Sequence, residues 1–279
     1  MDEAGLGAAD RYAVIGHPVA HSRSPWIHAR FAAQTGQDMD YRALLSPLEG
    51  FAATVEEFRK SGGRGANVTL PFKEEAFAIA GRHSERARAA GAVNTLIFSA
   101  EGVQGDNTDG CGLVRDLCAN LGFAIDGKRV LLLGAGGAAR GVILPLLEAA
   151  PASLTIANRT VEKARVLARQ FSAKALAEVA AQGFAELAGQ SFDLVVNATS
   201  AGLSDTPLAL PPRIFAAGSL AYDMVYGRET SFMAMARADG AARIADGLGM
   251  LVEQAAESFF LWRGVRPATA PVLSALRGA

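Results

Sequence analysis

This sequence predicts an α/β protein built on largely parallel sheets, on three observations. Short apolar runs alternate with helical stretches: RYAVIG precedes SPWIHARFAAQ, GANVTL precedes EEAFAIAGRH, VNTLIF precedes CGLVRDLCANLG, and RVLLLG precedes ARGVILPLLEAA. The last pair is joined by a glycine-rich turn, the order that a phosphate-binding βα unit requires. A length of 279 residues, 50% of them hydrophobic, suffices for about two packed cores.

Composition narrows the function classes. Against 27 Lys and Arg stand 28 Asp and Glu, a formal net charge of −1. Such a balance gives no general attraction to nucleic acid or to an anionic membrane, so any anion must be bound by a local site. Cys111 and Cys118 fit neither a disulfide framework nor the paired short spacings of a zinc site, and a reducing, cytoplasmic compartment is expected. The N-terminal MDEAGLGAADRYAVIG opens with acids and has no basic segment ahead of a long apolar run, unlike a secretory signal. No segment has the apolar length to span a bilayer. His17 and His21 have the helical spacing of a metal pair, but Pro18 argues against a helix holding both, and no metal is expected.

In chain order, GANVTLPFK (65–73) alternates Ala66, Val68 and Leu70 on one side with Asn67 and Thr69 on the other, until Pro71 ends the strand. A strand with a wet outer face accounts for that pattern, and so does a polar pocket wall; the stretch alone leaves both open. GDNTDG (105–110) sets turn-favouring residues between two glycines and is the best domain boundary, with a second near DGLG (246–249). Beyond it, Leu248, Leu251, Val252, Ala255, Phe259 and Trp262 fall on one face of a helix, whose packing partner the pattern does not name.

In RVLLLGAGGAARGVILPLL, Gly134 permits a tight turn and Gly136 lets the main chain approach a pyrophosphate. Amides at the helix start then donate to it, assisted by the helix dipole. Ala139 takes the place of a third glycine, and Pro145 is expected to kink the helix. About twenty residues on, where an NAD site offers an acid, LTIANRTVEKA places Asn158, Arg159, Thr160 and Lys163, donors and cations suited to a 2′-phosphate. Glu162 is the exception, and an ordinary exposed helix start remains a second reading. FDLVVNATSAG, from Phe192, reads as a further strand with Asn197 and Thr199 at its carboxyl end, either as ligand groups or as turn residues.

HSRSP (21–25), GANVTLPFK, GAVNTL (91–96), GDNTDG, GAGGA (134–138), NRT (158–160) and DGLGMLVEQ (246–254) carry a specific likeness. In their order and spacing, over nearly the whole chain, the sequence resembles the shikimate dehydrogenase family. The resemblance implies two α/β domains with a cleft between them. Residues 1–109, completed by 247–279, would form a substrate-binding domain with a mainly parallel sheet, and 110–246 a Rossmann-type NADP-binding domain. It also implies reversible reduction of the 3-keto group of 3-dehydroshikimate by NADPH, giving shikimate on the route to chorismate and the aromatic amino acids. The partners expected are the small substrate and a monomeric or homodimeric state.

Carried over residue by residue, the family's substrate-binding pattern falls on Ser22, Ser24, Asn67, Thr69, Asn94, Tyr226 and Gln254, and its catalytic pair on Lys73 and Asp109. Short hydrogen-bonding groups suit a small ring acid whose hydroxyls and carboxylate each need a partner. An ammonium held by a carboxylate suits carbonyl reduction, since it stabilises charge on the oxygen and delivers a proton. The cofactor pattern falls on Gly134, Ala135, Gly136, Gly137, Ala138, Asn158, Arg159, Thr160, Lys163, Thr199, Met224 and Gly247, with Glu85 at a position sometimes assigned to it. Lys163 stands where the family commonly has arginine, which keeps the cation and loses the planar fork.

Each substrate residue also has an ordinary reading: Ser22 and Ser24 as caps of a helix starting at Pro25, Asn94 as a turn residue, Gln254 facing solvent. Two other functions compete. The cationic NRT segment, with no acid at the position where an NAD site offers one, speaks against an NAD-dependent quinate/shikimate dehydrogenase, and the presence of both Lys73 and Asp109 speaks against a non-catalytic metabolite sensor.

Overall fold

The computed structural model describes residues 9–172, 177–199 and 207–278. The chain divides into two compact units, one of Met1–Arg88, Ala92–Thr108 and Ala255–Ala279, the other of Ala89–Gly91 and Asp109–Gln254.

The first unit runs β1 (Asp10–Gly16), α1 (Ser24–Thr35), β2 (Met39–Leu45), α2 (Phe51–Lys60), β3 (Gly63–Val68), α3 (Lys73–Ile79), β4 (Arg82–His83), α4 (Glu85–Ala90), β5 (Thr95–Ser99) and β6 (Gly102–Asp106). Its sheet has the order β2-β1-β3-β5-β6-β4, with β1 parallel to β2 and β3, β4 parallel to β6, and β5 antiparallel to both neighbours. Alternation sorts the faces. Ala13, Ile15, Ala66 and Val68 meet Phe51, Val55 and Phe58 of α2 in one core. Tyr12 turns the other way, its ring centroid 4.7 Å from that of Trp262.

Three sequence readings are revised here. Leu70 is 63% exposed and does not pack with Ala66 and Val68. The Thr69 N–H donates to Ile15 O (3.0 Å) and Leu70 O accepts the His17 N–H (3.0 Å), after which the chain turns, with Phe72 N–H donating to Thr69 O (3.1 Å). The apolar residue delivered to the core is therefore Phe72, stacked on Phe51 at 4.8 Å. The wet outer face is also absent: Asn67 is 6% exposed. GDNTDG, moreover, is only partly a turn, because Gly105 and Asp106 end β6 and Asp109 starts the next helix. Gly105 is required by close packing, since a side chain there would lie 2.5 Å from Val93.

The second unit holds α5 (Asp109–Arg115), which runs on as a π-helical turn (Asp116–Asn120), then β7 (Arg129–Leu133), α6 (Gly137–Glu148), β8 (Ser153–Ala157), α7 (Val161–Ser172), β9 (Glu178–Gln182), β10 (Phe192–Asn197), β11 (Phe215–Asp223), α8 (Ser231–Ala238) and β12 (Arg243–Ala245). Helix α9 (Leu248–Arg263) begins in this unit and from Ala255 belongs to the first, as does α10 (Ala270–Arg277). The sheet order is β12-β11-β10-β7-β8-β9, all parallel. Strand order therefore reverses between β7 and β10. Apolar layers cover both faces, which is why Val130 to Leu133 form an unbroken apolar run. Helix α6 continues through Pro145, whose ring lies against Gly110 of α5, where a side chain would stand 2.5 Å from it.

His28 of α1 is fully buried in the first unit, stacked on Tyr41 with ring centroids 4.1 Å apart and an interplanar angle of 9°. Neither ring nitrogen has a hydrogen-bond partner among the described residues. Burial lowers its pKa from 6.5 to about 3, an effect that the nearby Asn67 side chain only partly offsets. The imidazole is thus neutral when folded, whereas the unfolded chain takes up a proton below its ordinary value. Stability is full above pH 6.5 and falls as pH drops from there towards 3. In urea unfolding, the wild type is expected to lose about 2 kcal/mol more than His28→Phe between pH 7 and pH 5; equal losses would show that His28 does not titrate on unfolding.

Candidate active site and cofactor cradle

In the first unit, helix α1 starts at Ser24 with Arg23 at the N-cap position, so neither serine occupies it; the Ser22 hydroxyl accepts the Ser24 N–H at 3.2 Å. Ser24 is buried. The Tyr41 hydroxyl donates to Asn67 Oδ1 at 2.7 Å. Asn94 is a buried structural pivot and not a surface turn residue: its Oδ1 accepts the Thr108 N–H (2.8 Å) and its Nδ2 donates to Thr108 Oγ1 (2.9 Å). Thr69 packs its methyl against Gly16, where no side chain fits. Lys73 opens α3, half-buried, with its carbonyl accepting the Val93 N–H at 2.8 Å. Ser22, Ser24, Asn67, Thr69, Lys73 and Asn94 thus share this unit, while Glu85 is exposed at the start of α4.

The second unit carries the rest. Asp109 is the first residue of α5 and is buried. One turn on, Gly112 lets the main chain of Gln254 approach, since a side chain at 112 would stand 2.8 Å from Gln254 N. Asp109 and Gln254 therefore lie on packed helices, and Gln254 is half-buried, while Tyr226 is exposed.

Cofactor candidates gather where the parallel strands end. Gly134, Asn158, Thr199 and Met224 follow β7, β8, β10 and β11 at their carboxyl ends, on both sides of the point where strand order reverses. Gly134 has φ +108°, and a side chain there would meet Ala198 O at 3.0 Å, so glycine is demanded by the turn itself. Gly136 and Gly137 differ: among the described residues, a Cβ on either meets nothing within 4 Å. Packing among the described residues does not require these two glycines, and the open space lies over the N-terminus of α6, which has no side-chain cap among them. A pyrophosphate approaching those amides fits this arrangement. Ala139, by contrast, is buried in the core.

In the NRT segment Asn158 is half-buried and Arg159 and Thr160 are exposed, with Asn158 Nδ2 donating to Thr160 O at 2.9 Å. Glu162, the apparent exception there, is paired with Arg169 (3.1 Å) and Arg165 (3.3 Å), so its charge is answered within α7. Thr199 donates its N–H and hydroxyl to Asn197 Oδ1 (3.1 and 2.7 Å), an Asx turn. The residues after Thr199 in FDLVVNATSAG lie outside the described residues. Asn197 Nδ2 bonds buried Asp223 (3.1 Å), which also accepts from Thr230 (2.6 Å) and the Val225 N–H (3.0 Å) and so shapes the turn presenting Met224. Gly247 donates to Val225 O (3.1 Å) and lies so close to the Met224 carbonyl that no side chain fits.

Sequence reasoning passed over Tyr41, Thr108, Asp223 and Ser258. The signal for Ser258 is a lone hydroxyl inside the apolar stripe of Ala255, Phe259 and Trp262. Among the described residues, no group of three His, Cys, Asp or Glu side chains is placed to hold a metal, and no helix is long and apolar enough to cross a membrane.

Residues 14–96 match the family model described as shikimate dehydrogenase substrate binding domain, 117–205 that of shikimate / quinate 5-dehydrogenase, and 247–277 that of the shikimate 5′-dehydrogenase C-terminal domain. A shikimate dehydrogenase (NADP(+)) of Dechloromonas aromatica is 63% identical over 270 residues, covering 96% of this chain and 98% of that protein. This chain belongs to the shikimate dehydrogenase family. Among solved structures, an Ael1 enzyme from Pseudomonas putida superposes with TM-score 0.91 at 48% identity, over 96% of this chain and 98% of the other. Shikimate 5-dehydrogenase from Thermus thermophilus, in complex with NADP(H) and shikimate, superposes with TM-score 0.84 at 37% identity, over 96% of this chain and 98% of the other.

The glycines separate packing from ligand demands. Gly247→Ala must displace the Met224 main chain and is expected to cost about 1–3 kcal/mol of stability, while Gly136→Ala stays within about 0.5 kcal/mol of wild type. Denaturant unfolding of the two variants checks this; an equally destabilised Gly136→Ala would place something against that glycine.

Proposed function

We infer that this chain is an NADP-dependent shikimate dehydrogenase, reducing the 3-keto group of 3-dehydroshikimate to shikimate and running in reverse. The near-full-length identity to a shikimate dehydrogenase (NADP(+)) carries the reading. The open cradle at Gly136 and the cationic NRT segment support it from the side of the cofactor. Residues 1–109 with 247–279 serve the substrate and 110–246 the cofactor. The enzyme works in the cytoplasm as a monomer or homodimer, without nucleic-acid or membrane partners.

NADPH, when bound, supplies the hydride. Gly134 to Ala138 hold its pyrophosphate, Asn158, Arg159, Thr160 and Lys163 its 2′-phosphate, and Thr199, Met224 and Gly247 the remainder, with Glu85 a further contact. Ser22, Ser24, Thr69, Asn94, Tyr226 and Gln254 hold the carboxylate and hydroxyls of the substrate. As the carbonyl carbon is reduced, negative charge builds on its oxygen; the Lys73 ammonium stabilises that charge and gives up a proton, and in the reverse direction takes the hydroxyl proton. Asp109 is the second member of the pair and binds substrate.

Shikimate oxidation is expected to proceed with NADP far better than with NAD, and with shikimate far better than with quinate; a preference for quinate with NAD would overturn the reading. Lys73→Ala is expected to lower kcat at least about a hundredfold while shikimate still binds by calorimetry. Unchanged turnover would remove Lys73 from the chemistry. NADP(H) binding should weaken in Gly136→Ala, measured by the same calorimetry, because its methyl enters the cradle.

A further inference from the structure

Asn67 carries more hydrogen bonds within the first unit than a pocket ligand can spare. A carboxamide has two N–H donors. Asn67 Nδ2 lies 3.0 Å from Ser258 Oγ, 3.2 Å from Thr95 Oγ1 and 3.2 Å from the Asn94 carbonyl, three acceptors for two protons. The Asn94 carbonyl only accepts and fixes which end of the amide faces it, while Tyr41 donates to Oδ1 at 2.7 Å. Tyr41 is itself clamped, since its ring stacks on buried His28. Burial raises the Tyr41 pKa well above 10.0, so the phenol keeps the proton it donates.

Ser258 is the second support. It comes from α9, is fully buried, and lies 2.8 Å from Thr95 Oγ1 and 3.2 Å from Thr108 Oγ1 as well as 3.0 Å from Asn67. Thr95 donates to Asn94 Oδ1 at 2.9 Å, and Thr108 holds both ends of the Asn94 side chain. One hydroxyl on the last long helix thus touches three side chains of the sheet and its exit, two of which fix Asn94.

We propose that Asn67 is a positioning residue and not a substrate ligand, and that Tyr41 and Ser258 are specificity-determining supports that set the Asn94 side of the substrate pocket through it. The inference rests on the shikimate dehydrogenase reading. Ser258 has no exposed surface, so any effect of its removal on substrate recognition is transmitted.

Ser258→Ala and Tyr41→Phe each delete one hydroxyl without adding volume. The expected result in each is a KM for shikimate raised about fivefold, in keeping with the loss of one neutral hydrogen bond, with the KM for NADP and kcat within about twofold of wild type. An unchanged KM for shikimate, or a fall in kcat alone, would overturn the proposal. Either variant suffices if the other fails to fold. Asn67 amide-proton exchange, followed by NMR, gives a readout independent of turnover. Slow exchange in the wild type that becomes fast in Ser258→Ala supports the network, and fast exchange in the wild type overturns it. A wild-type enzyme that does not bind shikimate would defeat the functional reading, while the exchange measurement still decides the network.

Discussion

The buried carboxamide of Asn67 is the constraint on which the first unit turns. A polar group taken out of water must be paired, or it costs roughly as much as a large core substitution. Pairing this one recruits Tyr41 from β2, Thr95 from β5 and Ser258 from α9. That requirement makes edge strand β2 and helix α9 parts of one site-bearing unit and not peripheral cover. It also explains why Gly65, two residues earlier on the same side of β3, has no side chain: one would stand 2.5 Å from the Trp262 indole nitrogen, in the layer that delivers Ser258.

The second unit solves a different problem with glycine and carboxylate. Its parallel strands end together, and each end is held by local bonds: Asn197 to Asp223, Thr199 to Asn197, Gly247 to Val225. Buried Asp116 takes the Tyr222 hydroxyl (2.7 Å) and the Asn120 amide (2.9 Å), and it fills the space beside Gly249 at the start of α9. The π-helical turn after α5 begins at this aspartate. Close main-chain approach at Gly112, Gly134 and Gly247, and the Asp116 carboxylate against Gly249, pack these pieces; at Gly136 and Gly137 neither a neighbour among the described residues nor a positive φ calls for glycine, an arrangement that fits a ligand approaching those amides.

Legibility in the sequence followed burial. The runs RYAVIG, RVLLLG and FDLVVN have apolar residues matching strands covered on one or both faces, and the glycine turn after RVLLLG fell where a βα unit puts it. Edge strand β2 escaped notice because its residues are mostly half-exposed or exposed and its sequence, MDYRALL, lacks alternation. Leu70 misled because period two was extended past the residue where the chain leaves the sheet. Ser258 was hidden by its own helix, whose apolar stripe reads as core. Individual motifs marked most candidate residues, but the partners that hold them come from elements far apart in the chain, and only the fold joins them.

A double-mutant cycle between Tyr41→Phe and Ser258→Ala, read in the KM for shikimate, tests most directly whether the pocket is held through one carboxamide. Both hydroxyls act on Asn67, so the double variant is expected to raise KM well short of the product of the single effects. Effects that simply multiply would mean that the two supports act independently and would contradict the account.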